Sequence, residues 1–103
     1  MAHARTGGHT WQMDLDGAIR RVQRLIAAEK RMADDERARA AADNQRAAVV
    51  GLHRRESDSY SAAARTHLRA AQLHDDAAVL QATHRDHLIA LSARASRFPP
   101  PLT

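Results

Sequence analysis

The chain contains no cysteine, which removes disulfide staples and thiolate metal ligands together. Its three prolines form one run, Pro99-Pro100-Pro101, so nothing earlier in the chain carries the residue that breaks helices. Glycine is scarce as well. Two of the four glycines are the pair Gly7-Gly8, and no glycine-rich loop is available to cradle a phosphate. With one Trp, one Tyr and one Phe, there is little to stack on nucleic-acid bases. No apolar run approaches the roughly 20 residues that span a bilayer. Residues 1–10 hold no apolar stretch of the kind that forms a signal-peptide core. A cytoplasmic, non-membrane protein is the expectation. Lysine is nearly missing too: fifteen of the sixteen basic residues are Arg, a bias that codon usage explains as readily as function.

What is present is alanine, 23 of the 103 residues, and long segments with helical periodicity. A chain of this length makes one domain, and alanine contributes little transfer energy when buried. The core is therefore expected to be thin, and pairing with a second copy or a protein partner is expected to supplement it.

Residues 1–12 read as a disordered arm. Asp14 suits a helix N-cap, Asp16 adds negative charge to the first turn, and Trp11 can staple onto that turn. Leu15, Ile19, Val22, Ile26, Ala33, Ala40, Ala47 and Val50 then recur at spacings of three, four and seven, a narrow helical stripe close to a heptad. Glu29, Glu36 and Asp43 interrupt it at the partner positions. The spacing predicts a first helix over about 14–55, a turn at about 52–59 and a second helix over about 59–97. Asp58 or Ser59 is the expected cap of the second helix, with Gly51 an alternative end for the first. Arg54 and Arg55 are expected to complement the negative end of the first helix dipole. Residues 98–103 make a proline-rich tail beyond the second helix.

The second helix carries the clearest internal repeat. Ala70-Ala71-Gln72-Leu73-His74 is followed seven residues later by Ala77-Ala78-Val79-Leu80-Gln81. A period of seven keeps residue types on one face, which is how coiled coils pack. The predicted fold is all-α: a two-helix antiparallel hairpin, coiled-coil-like, dimerising into a four-helix bundle. Turning the chain near residue 57 sets residues 33–48, which have no large apolar side chain, against residues 66–81, which hold Leu68, Leu73, Val79 and Leu80. Large would meet small, and Leu73 and Leu80 would be buried. The expected packing and interface residues are Ala63, Ala70, Leu73, Ala77, Leu80, Leu88 and Leu91.

Few residues suggest chemistry. His84 and His87, three apart, can project from one helical face and are weak metal candidates, although no third ligand accompanies them. His67 and His74, seven apart, lie on a single stripe and read as polar residues at the margin of the alanine seam. Ser57, Ser59 and Ser61 lack a nucleophile elbow and suit turn chemistry. No catalytic or cofactor-binding set emerges, so a non-enzymatic protein without a cofactor is expected. It would act through homodimerisation and binding of a protein partner. The alternative uses Arg20, Arg21, Arg24, Arg54 and Arg55 to contact the phosphates of RNA or DNA. On that reading the architecture resembles that of small helical-hairpin dimers that bind RNA. Charge argues for a mixed, solvated surface instead. Residues 14–58 carry ten basic and nine acidic side chains, with no one-sided basic stripe.

Overall fold

Long stretches without proline, rich in Ala, Arg and Leu, favour continuous helix, because each added residue gains a backbone hydrogen bond once a first turn exists. In the computed structural model the chain forms two such helices, α1 (His3–Val49) and α2 (Arg54–Arg97), packed as an antiparallel hairpin. The backbone is described for residues 3–51 and 53–97, and side chains for residues 12–51 and 53–97. The expected staple by Trp11 and the proline-rich tail lie outside these limits.

The helix boundaries differ from the sequence expectation at both ends of α1. It begins at His3 rather than near residue 14, running through Gly7-Gly8 where an arm was expected. Propagation from an established helix costs far less than nucleation, and two glycines do not forbid it. Asp14 is consequently interior and caps nothing. At the other end α1 stops at Val49 and α2 starts at Arg54, so the chain reverses earlier than the predicted 52–59. The Val50 N–H donates to the Arg46 carbonyl at 3.0 Å, and the His53 N–H donates to the Val50 carbonyl at 2.7 Å. Ser57 N–H then donates to the His53 carbonyl at 3.0 Å, which places His53, not Asp58 or Ser59, at the start of α2. Gly51 lies in this turn without a positive φ, but a Cβ there would stand 3.3 Å from the Ala48 carbonyl oxygen.

Two consequences follow for charge. Arg54 and Arg55 open α2 instead of closing α1, so they do not complement the α1 dipole. Arg46 is the basic residue in the last turn of α1, and Glu56 supplies negative charge in the first turn of α2.

Packing divides the chain into two compact units, one drawn from residues up to Ile26 and from Val79 onward, the other from Ala27–Ala78. In the first, Leu15, Val22, Ile26 and Leu88 are buried, and a Gln12 side-chain amide donates to the Ser92 hydroxyl. In the second the core is alanine alone: Ala33, Ala40 and Ala47 from α1 and Ala64, Ala71 and Ala78 from α2. The α1 stripe expected from the sequence is thus the buried one, with Ile19 and Val50 half-buried at its edges.

The α2 face is not the expected one. Hydrogen bonds between Glu36 and His67, between Glu29 and His74, and between Ser57 and Ala47 set the pairing in the second unit. Ala33 and Ala40 therefore fall level with Ala71 and Ala64. Small meets small, and the anticipated match of large to small is not realised. Leu73 and Leu80 stand two residues past Ala71 and Ala78, about 200° further round the helix. They are 69% and 73% exposed, contrary to their predicted burial. Of the other expected packing residues, Leu88 is buried while Ala63, Ala70, Ala77 and Leu91 are half-buried. Moving the turn earlier shifted the register, and the shift rotated the leucines out of the seam.

Candidate functional site

The alanine seam of the second unit is interrupted at regular intervals by polar side chains. On α1 the heptad that places Ala33, Ala40 and Ala47 inward also turns Glu29, Glu36 and Asp43 inward, four residues before each alanine. On α2 the heptad of Ala64 and Ala71 turns His67 and His74 inward, three residues after each. Antiparallel packing brings acid and imidazole together. His74 Nδ1 lies 2.6 Å from Glu29 Oε2, and His67 Nδ1 lies 2.6 Å from Glu36 Oε2. His67 Nε2 faces Asp43 Oδ2 at 3.5 Å. Asp43 is the one buried charged residue among those described, 8% exposed.

Each carboxylate near His67 also has an Arg three residues on. Arg39 pairs with Glu36 at 2.9 Å and Arg46 with Asp43 at 3.0 Å. These pairs lie along α1 and their guanidinium ends are exposed, so they support α1 without tying it to α2. The imidazole is the group that reaches across. The hydrogen bond from His67 holds the Glu36 carboxyl below its ordinary value, against partial desolvation, which raises it; the charge of His67 and the charge and hydrogen bond of Arg39 lower it further. Arg37 also reaches across, pairing with Asp75 on α2 beside its pair with Asp34 on α1.

At the turn, the Ser57 hydroxyl donates to the Ala47 carbonyl at 3.0 Å. That carbonyl is one of the last in α1, where helical partners run out. Ser57 therefore does bond-satisfying work between the helix ends, in keeping with the turn chemistry expected of this serine. A shallow groove of about 340 Å³ lies nearby, lined by Ala42, Gln45, Arg46, Val49, Val50 and Tyr60.

The weak metal candidates His84 and His87 are both exposed, and among the described residues no group of three or more His, Asp or Glu is arranged to hold a metal ion. Arg20, Arg21 and Arg24 are exposed on α1 in the first unit, and Arg54 and Arg55 are exposed in the second. Large apolar side chains are exposed in both units. Leu25, Val79, Leu80 and Ile89 belong to the first, and Met32, Val49, Leu68 and Leu73 to the second. No helix among the described residues is long and apolar enough to cross a membrane.

The pairing of Glu29 and Glu36 with His74 and His67 was missed at the sequence level, although a signal for it exists. The two acids are seven apart on one stripe, and the two imidazoles are seven apart on the other. Equal spacing on both strands of an antiparallel hairpin lets both pairs form in one register. No family model, no curated protein and no solved structure matches this chain.

Proposed function

We propose that this hairpin is a non-enzymatic interaction protein that pairs with a second copy of itself and offers its charged outer faces to a protein partner. The observation that carries the reading is the exposure of Leu73 and Leu80. Leu73 in the second unit and Leu80 in the first, seven residues apart on α2, are each left in water by the hairpin, apolar surface that association would cover. An all-alanine core in the second unit supports the same reading, because so little apolar area leaves stability to be gained by association. The outer surface mixes Arg with Asp and Glu, which suits partner selection by complementary charge.

Light scattering on a sizing column tests this. A mass twice that of the chain is expected at micromolar concentration, falling to that of a monomer in a Leu73→Ser, Leu80→Ser double variant that keeps its helical circular dichroism. A folded monomer at that concentration, or a variant as large as the parent, refutes it.

A second reading rests on a separate observation: Arg20, Arg21, Arg24, Arg54 and Arg55 are exposed and make no ion pair among the described residues. Cations free of internal partners are available to phosphates. Binding to structured RNA or duplex DNA that weakens with added salt would favour this reading, and no binding at low ionic strength removes it.

A further inference from the structure

We infer that His67 is a proton-loaded clamp between the two helices of the turn-side unit, and that loss of its proton loosens them. The charged and titratable groups around it are Glu36, Asp43, Arg39 and Arg46 from α1, with Tyr60 two turns before it and His74 two turns after it on α2. Its two ring nitrogens face two different carboxylates, Nδ1 toward Glu36 and Nε2 toward Asp43. An ionised carboxylate only accepts hydrogen bonds. An imidazolium has two N–H donors, one hydrogen-bonded to Glu36 at 2.6 Å and one set against Asp43 at 3.5 Å, an ion-pair contact rather than a hydrogen bond. A neutral imidazole has one donor and one lone pair, so either tautomer points a lone pair at a carboxylate oxygen. Asp43 is buried, and water cannot readily fill that gap. The Arg partners do not substitute, because both lie on α1 and leave the link to α2 unmade.

His74 is a built-in control. It meets a single carboxylate, Glu29, through Nδ1, and a neutral ring with its proton on that nitrogen satisfies the contact. The two histidines share a helix, a heptad position and a 2.6 Å contact. They differ in the second acid. The direction is fixed by the chemistry: a contact that requires the protonated ring stabilises the folded state at lower pH and is lost as pH rises.

The test is urea unfolding of the full chain at a dilution where its mass is constant, between about pH 5.5 and pH 8.5. The folding equilibrium constant of the parent is expected to fall about tenfold across this range. In His67→Gln the fall should be under about threefold; in His74→Gln, which loses one charge contact rather than two, it should lie closer to the parent's. Gln is a suitable replacement, because Gln81 already occupies the next equivalent heptad place on α2. Asp43→Asn supplies a second route should His67→Gln fail to fold. Its amide can donate to a neutral ring, so the pH dependence should weaken to what the Glu36 contact alone supplies, and stability at the alkaline end should equal or exceed the parent's. A parent that is insensitive to pH, equal effects of the two His→Gln changes, or an Asp43→Asn variant that retains the parent's pH dependence would overturn the proposal.

Discussion

Replacing Ala40 by Leu places the largest demand on the structure for the smallest change in chemistry. Ala40 is 2% exposed and level with Ala64, itself buried, so three added carbon atoms have no space on the α2 side. Overpacking a filled core costs about 1–3 kcal/mol where neighbours can shift. Here the only adjustment is for α1 and α2 to move apart, which also stretches the Glu36–His67 and Asp43–His67 contacts on either side. The upper end of that range, about 3 kcal/mol, is therefore expected. Leu80→Ala is the counterpart. Full burial of a leucine is worth about 1.5–3 kcal/mol, and with 73% of Leu80 in water only about a quarter of this, roughly 0.5 kcal/mol, is at stake. The better helix propensity of Ala offsets part of even that. Urea denaturation followed by circular dichroism, at a dilution where the chain is monomeric, compares the two. If Leu80→Ala is the more damaging change in the monomer, the alanine seam is not the core and the register is wrong. A cost for Leu80→Ala that grows with protein concentration would instead report the proposed pairing of two copies.

Three further outcomes are expected. Gly17→Ala should stabilise the protein by about 0.5–1 kcal/mol in the same assay, because a Cβ there meets only the ends of the Arg21 and Arg20 side chains, at 3.6 and 3.9 Å, and Ala is the better helix former. Ser57→Ala removes the hydroxyl that satisfies the Ala47 carbonyl and should cost about 1 kcal/mol, read as a lower urea midpoint. Glu36 is held below its ordinary value in the folded state, so its contribution is fully present above the unfolded carboxyl range and is lost as pH falls through the folded value. Urea midpoints taken from about pH 6 down to pH 3 should fall in the parent, and the fall should be shallower in Glu36→Gln.

Much of the fold is legible in residue order. Helix formation is a local matter, settled by propensity, by the confinement of proline to residues 99–101, and by a repeat of three and four that runs from Leu15 to Val50. The inward stripe of α1 follows from that repeat alone, including the intrusion of Glu29, Glu36 and Asp43. The sequence also determined that any core would be thin, since alanine has only a methyl group to bury. What it left open was the register. α2 carries two stripes at a period of seven, one through Ala64, Ala71 and Ala78, the other through Leu73 and Leu80, and period alone does not choose between them. Tertiary structure made that choice. The reversal between Val49 and Arg54 set which parts of α2 could reach α1, and the acids of α1, already committed to the seam, found the imidazoles of His67 and His74 when the alanine stripe faced inward. Turning the leucines inward would have buried more apolar surface, but it would have cost the half-buried Glu29 and Glu36 their hydrogen bonds to His74 and His67 and left the buried Asp43 without the imidazole that faces it across the seam.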